Sequence, residues 1–277
     1  MRVDAHHHLW RYDAGEYGWI DEPMRALRRD FLPADLEREM QAAGVDAAVA
    51  VQARQTMEET RWLLELAKDS RVIRGVVGWA AIAAEDFAAV VEELAEEPLL
   101  KGLRHVVQAE PEGFLDGTEF NRGIGAMRGT DLVYDVLVYA PQLEEVTRFV
   151  DRHPEQIFVL DHMGKPAIAR DGFAAWAWDF RELALRENVV CKVSGMVTEA
   201  DWERWKDDEL ERYFDVAVEA FGPSRLMVGS DWPVLTVASG YGQWWETVGR
   251  WTGQLSSGDR AAIEGEVAAR VYRLQGL

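Results

Sequence analysis

Eight times along the 277-residue chain, a short, mostly apolar and β-branched run is followed by a longer amphipathic stretch. The runs are Arg2–His8, Val45–Arg54, Ile73–Ile82, Leu100–Gln108, Leu132–Ala140, Ile157–His162, Val189–Ser194 and Leu226–Asp231. A strand that is apolar almost throughout is covered on both faces, and such strands belong to parallel sheets whose crossovers are helices. The stretches between them read as those helices. The first, residues 33–44, opens on Pro33 and ends on Gly44. Glu58–Asp69, Ala84–Glu97, Thr118–Arg128, Pro141–His153, Phe173–Glu187, Asp207–Phe221 and Tyr241–Gln254 fill the other gaps. Ser257–Leu274 closes the chain as a C-terminal helix, with Ser257 or Asp259 as its N-cap. Eight strand–helix units in about 250 residues have the size and rhythm of a (β/α)8 TIM barrel. A doubly wound open sheet alternates in the same way, but commonly carries a glycine-rich turn after its first strand. Here that strand ends in histidines. The expectation is an α/β chain forming one barrel over residues 1–277, with no linker dividing it.

Composition narrows the function classes. Hydrophobic residues make up 48% of the chain, enough for a large core. With 49 acidic against 30 basic side chains the net charge is −19, which argues against nucleic acid or an anionic membrane as partner. The single Cys191 permits no internal disulfide, the N-terminal residues carry no apolar leader, and no run approaches ~18 apolar residues. A cytoplasmic protein acting on a small molecule is expected. A homo-oligomer stays open: Trp244, Trp245 and Trp251 form either an interface or a face packed on the barrel.

Barrel active sites gather at the C-terminal ends of the strands. The first strand ends Asp4-Ala5-His6-His7-His8, and alternation along a strand turns His6 and His8 into the mouth while His7 points away. Two imidazoles on one face ligate a metal or share a proton transfer. Strand six runs into Asp161-His162-Met163-Gly164-Lys165-Pro166, and strand eight into Gly229-Ser230-Asp231-Trp232-Pro233, which brings the Asp231 carboxylate beside His6 and His8 once the barrel closes. Basic groups stand at other strand ends: Arg54, Arg104, His105 and Lys192. The site is therefore expected to be opposite in sign to the acidic surface, suited to a carboxylate or a polarised carbonyl.

These motifs, in this order along nearly the whole chain and with Leu103-Arg104-His105 between them, resemble the amidohydrolase superfamily. The likeness is closest to the amidohydrolase 2 branch, which holds sugar-acid lactonases and 2-pyrone-4,6-dicarboxylate hydrolase. The resemblance implies hydrolysis at a carbonyl carbon, with His6 and His8 as the strand-one pair, His162 as the strand-six histidine and Asp231 as the strand-eight aspartate. The chain departs from metal-rich members at two places: Arg104 or His105 stands where many carry a bridging lysine, and Tyr139 where many carry a metal-binding histidine. His6, His8 and Asp231 remain as metal ligands, so either no cofactor or one divalent cation such as zinc is expected. The expected reaction is the opening of a 1,4- or 1,5-lactone of a sugar acid such as fuconate or rhamnonate. Asp231 would take the proton of the attacking water, and His6, His8 and His162 would polarise the carbonyl. Arg54, Arg104, His105, Tyr139, Lys165, Lys192 and Trp232 are the expected substrate-binding residues, with Trp10 and Trp79 as further rim aromatics. Two other readings stay in view: a one-metal decarboxylase or amide hydrolase of the same superfamily, and a barrel without catalysis that serves as a binding protein.

Overall fold

A computed structural model of the chain describes residues 1–170 and 172–277. Eight parallel strands lie in sequence order: β1 (Val3–His7), β2 (Ala47–Val51), β3 (Ile73–Gly78), β4 (Leu100–His105), β5 (Val133–Val136), β6 (Phe158–Leu160), β7 (Val189–Val193) and β8 (Leu226–Val228). Each pairs with the next, and β8 returns to β1 through a parallel bridge between His7 and Trp232. At that seam Asp231 N–H donates to the His6 carbonyl at 2.8 Å, and His8 N–H to that of Trp232 at 2.6 Å. The result is a (β/α)8 TIM barrel.

The crossovers are α1 (Pro33–Ala43), α2 (Met57–Asp69), α3 (Phe87–Ala95), α4 (Thr118–Ala126), α5 (Leu143–Arg152), α6 (Phe173–Ala184), a short α7 (Met196–Glu199), α8 (Asp207–Phe221) and α9 (Tyr241–Thr252). The C-terminal segment is α10 (Ser257–Ala261), one π turn and α11 (Val267–Val271). Its N-cap is Ser256, ahead of both expected positions, Ser257 and Asp259, because the Ser256 hydroxyl accepts from Asp259 N–H.

Two apolar layers form. Leu, Phe and Trp side chains between strands and helices make the outer one, and it includes Trp244, Trp245 and Trp251 at 1–2% exposure. These three tryptophans pack on the barrel and offer no free face. The inner layer is small and β-branched (Val3, Ala5, Ala47, Val49, Val77, Val133, Val159, Val190) and is closed by Val267, Ala268 and Tyr272 of the C-terminal segment. No helix among the described residues is long and apolar enough to cross a membrane.

One irregularity positions the site. Asp4 pairs with Ala48 but His7 with Ala50, so β1 carries one extra residue across that span. Such a bulge re-aims the side chains that follow it. The Asp4 carboxylate holds the seam from outside the barrel, accepting from Ser230 N–H at 2.8 Å, Ser230 Oγ at 2.6 Å and Tyr241 Oη at 3.0 Å. Burial pushes Asp4 up to about 6 against these bonds.

Candidate active site

His6 and His8 leave the end of β1 on the inner face, and their Nε2 atoms lie 3.2 Å apart. His8 Nδ1 is 2.8 Å from the Val51 carbonyl, an acceptor only, so Nδ1 carries a proton and donates it there, which turns Nε2 toward the site. Asp231 Oδ1 stands 3.4 Å from His8 Nε2, 3.9 Å from His6 Nε2 and 4.0 Å from His162 Nε2. The sequence-predicted quartet thus converges on one point, and all four residues are buried. His7 points the other way, into the outer layer; among the described residues neither ring nitrogen has a side-chain partner, and burial pushes the ring down to about 3.

His162 and Asp231 reach this point on strained backbone. His162, Met163, Gly164 and Lys165 are consecutive left-handed residues (φ 52°, 55°, 69° and 48°), and Asp231 has φ 60°. Left-handed geometry costs an L-residue about 1–2 kcal/mol, and strain of this kind collects at functional sites. The turn is held by Lys165 N–H to the His162 carbonyl (2.8 Å) and by Trp176 Nε1 to the Met163 carbonyl (2.8 Å). His162 Nδ1 sits 2.9 Å from Ser194 Oγ, and Gly195 passes behind the ring.

Beneath the quartet lies a buried charged column. Lys192 Nζ is 2.5 Å from Asp135 Oδ2, 2.9 Å from Asp161 Oδ1 and 3.2 Å from His6 Nδ1. Asp161 also meets His6 Nδ1 at 3.2 Å and Arg104 Nη1 at 2.9 Å, and Arg104 donates to the Gln52 carbonyl as well. Tyr272, reaching up from just beyond α11, places its hydroxyl 2.9 Å from Asp135. Burial works to raise Asp161, yet Lys192, His6 and Arg104 outweigh it and hold its carboxyl well below the usual value. Burial dominates at Asp135, up at about 6 despite Lys192, and at His6, well below an ordinary imidazole. Burial also brings His162 down to about 4. At Asp231 burial is outweighed by His162, His8 and Lys165, which leave the carboxyl lower than usual and hence ionised at neutral pH.

Several expected substrate contacts fall elsewhere. Lys192 is fully buried and committed to two carboxylates, so it supports His6 from below and does not reach the mouth. His105 follows Arg104 on β4 and therefore faces outward, stacked on Phe114 and 2.7 Å from Glu110. Trp232 is 3% exposed with its ring edge-on to Phe31, and Trp10 is enclosed by Tyr17, Trp19 and Phe31. Trp79 leans outward too, its Nε1 3.4 Å from His105 Nδ1. Arg54 is tied to Glu16 and lies 3.8 Å from Glu59. Tyr139 and Lys165 do share the rim: Tyr139 is 44% exposed, with Lys165 Nζ 5.4 Å from its ring and 3.7 Å from Glu199 Oε1. Every basic group expected at the mouth thus has a carboxylate of its own, and the expected positive site is cancelled from within.

Asp135, Asp161, Ser194, Glu199 and Tyr272 were not singled out from sequence. The first two carried a usable signal: an ionisable residue inside or against an otherwise apolar, doubly covered strand must be paired. Tyr272 and Glu199 carried none, since only chain closure brings them to the barrel axis and rim.

The donor set fits a divalent cation. Tetrahedral zinc with ligands at about 2.0–2.1 Å separates its donor atoms by about 3.3 Å. His6 Nε2, His8 Nε2 and Asp231 Oδ1 are 3.2, 3.4 and 3.9 Å apart. His6, Asp161 and His162 also lie close together, but Asp161 is already taken by Lys192 and Arg104.

A family model described as amidohydrolase matches residues 3–274. A Burkholderia multivorans protein named L-fucono-1,5-lactonase is 45% identical, the match covering 99% of this chain and 96% of that one. A Burkholderia ambifaria protein of the same name is 35% identical, with the same coverages of 99% and 96%. The crystal structure of an amidohydrolase from Burkholderia multivorans with bound zinc superposes with a TM-score of 0.95 at 44% identity, covering 99% of each chain.

Proposed function

The chain belongs to the amidohydrolase family and is a hydrolase, and we propose that it opens a sugar-acid lactone, most closely an L-fucono-1,5-lactone, through water activated by Asp231. The observation that carries the substrate class is the internal pairing of the basic groups. Arg104 with Asp161, Lys192 with Asp135 and Asp161, Lys165 with Glu199, and Arg54 with Glu16 leave none of the four as a free cation for a dicarboxylate. A neutral ring bearing hydroxyl groups suits such a site, because paired charges still donate and accept hydrogen bonds.

Asp231, ionised and buried, accepts a proton from water as the oxygen attacks the lactone carbonyl. His6, His8 and His162 surround the position where negative charge develops, and Arg104 Nη1, 3.4 Å from His6 Nε2, adds a fixed positive charge behind them. Collapse of the tetrahedral adduct breaks the ring C–O bond, and Asp231 returns its proton to the departing alkoxide, giving the hydroxy acid. A divalent cation held by His6, His8 and Asp231 would supply Lewis-acid polarisation of the carbonyl and a more acidic water. Tyr139, Lys165 and Glu199 at the rim read the ring hydroxyls.

Asp231→Asn tests the base. Hydrolysis of L-fucono-1,5-lactone, followed with a pH indicator, is expected to fall by about 10²–10⁴-fold with the melting temperature retained. Turnover within tenfold of the parent removes Asp231 from this role. A preference for carboxylate-bearing lactones over neutral ones overturns the substrate class.

A further inference from the structure

The four groups that converge at the mouth are covered: His6, His8, His162 and Asp231 are 0%, 6%, 3% and 5% exposed. A lactone ring cannot reach a carboxylate so enclosed unless some part of the chain above it moves. The strands and crossover helices are close-packed and hold still; a connecting segment with few ties opens first.

Residues 11–30, between β1 and α1, are such a segment. Their two legs meet at a narrow base. There Trp10 and Phe31 exchange both backbone hydrogen bonds (3.0 and 2.9 Å), Trp10 Nε1 donates to the Arg29 carbonyl (2.9 Å) and Tyr12 N–H donates to Asp30 Oδ1 (2.9 Å). From this base the segment spans the end of β1 from side to side. Toward β8, Arg25–Leu27 lies against Val234–Val237. Toward β2, Glu16 pairs with Arg54, and Tyr17 Oη is 3.5 Å from Glu59 Oε1. β1 stands between those two strands and carries His6 and His8 at its end, so the segment lies over the histidine pair. Among the described residues, the Glu16 and Tyr17 contacts are the only hydrogen bonds or ion pairs joining 11–30 to the chain beyond its base. The Tyr17 ring packs on Trp10 of that base, with 5.6 Å between centroids, so the segment has a core of its own. Its seat is loose on the β8 side, where a cavity of about 300 Å³ has Ala26, Arg29, Trp232 and Thr236 in its lining.

We propose that residues 11–30 are a strap that admits the substrate by swinging about the Trp10–Phe31 base, and that the Glu16–Arg54 ion pair, with Tyr17 against Glu59, is the latch that holds it shut. Arg54, expected from sequence to bind substrate, instead holds the entrance. The proposal rests on the quartet being the reacting centre and not on which lactone it opens.

Locking the latch tests this. Glu16→Cys with Arg54→Cys, in the full-length, metal-stripped protein, puts two thiols where the ion pair was. An ethane-bridged bis(methanethiosulfonate) joins them until dithiothreitol releases it, and the native Cys191 is buried out of its reach. Diethyl pyrocarbonate then reports access to each histidine, mapped by mass spectrometry. Carbethoxylation of His8 and His162 is expected to slow about tenfold or more in the linked form and to recover on reduction. His105, facing outward on β4, and His153, at the end of α5, should react alike in both forms. Equal rates at His8 and His162 in the two forms, or no reaction in either, overturn the strap. Glu16→Gln opens the latch alone and decides by itself if the double variant does not fold. It should raise the same two rates about two- to fivefold, the worth of an exposed ion pair, and unchanged rates overturn the latch. Lactone hydrolysis is read separately: gated carbethoxylation without turnover in either form refutes the substrate reading and leaves the strap standing.

Discussion

Gly195→Ala isolates the placement of His162 from its chemistry. Gly195 has φ +64°, and a Cβ there would stand 2.6 Å from His162 Nδ1. Ordinary contact begins near 3.4 Å, so the ring must retreat by about 0.8 Å. That movement stretches the 2.9 Å hydrogen bond to Ser194 Oγ and carries Nε2 away from Asp231. Left-handed geometry for alanine costs about 1–2 kcal/mol and the hydrogen bond about 1 kcal/mol. At roughly 2–4 °C per kcal/mol for a chain of this size, the melting temperature should fall by about 5–10 °C. A displacement near 1 Å at a reacting group costs about 10²-fold in rate. Gly44→Ala supplies the control, because Gly44 has φ +66° at the end of α1 with nothing within 4 Å of its Cβ. It should share the backbone cost and keep parental turnover. Lactone hydrolysis and thermal melts on both variants decide the matter. If Gly195→Ala turns over within threefold of Gly44→Ala, the reasoning about ring placement is wrong.

Other perturbations follow from particular contacts. Glu59 is fully buried and accepts from Ala53 N–H (2.9 Å) and Arg54 N–H (2.7 Å), yet burial raises it from 4.5 to about 7. A carboxyl that binds its proton more tightly when folded makes the fold less stable as pH rises from about 4.5 through about 7, here by about 3 kcal/mol. Glu59→Gln keeps an acceptor for both amides, so denaturant unfolding at pH 5 and pH 8 should show that slope diminished; an unchanged slope refutes the assignment. Zinc at 100-fold over its Kd should add about 2.7 kcal/mol of stability to the metal-stripped protein, read as a thermal shift. The shift should vanish in His8→Ala, and its persistence there would place the cation elsewhere. Lys165→Met should raise KM about tenfold with kcat held within threefold, since Lys165 reads the ring from the rim; a fall in kcat alone would contradict that role.

Much of the barrel was legible from the chain because a parallel strand covered on both faces cannot alternate polar and apolar residues, and eight such runs separated by amphipathic stretches leave few architectures. His6, His8, His162 and Asp231 were legible because strand period and strand-end position are local properties, and they converge within 4.0 Å. What local pattern does not contain is which charges neutralise which. Arg104, Lys192, Lys165 and Arg54 read from sequence as a basic mouth, and barrel closure gave each a carboxylate from a distant segment, as with Lys192 and Asp135 at 57 positions apart. The bulge in β1, the left-handed turn at His162 and the reach of Tyr272 into the barrel axis likewise depend on how the two ends of the sheet meet. Sequence determined the scaffold and the convergent donors, since these follow from periodicity. Tertiary structure alone decided the electrostatic sign of the site, because Coulomb energy depends on distances that the order of residues does not fix.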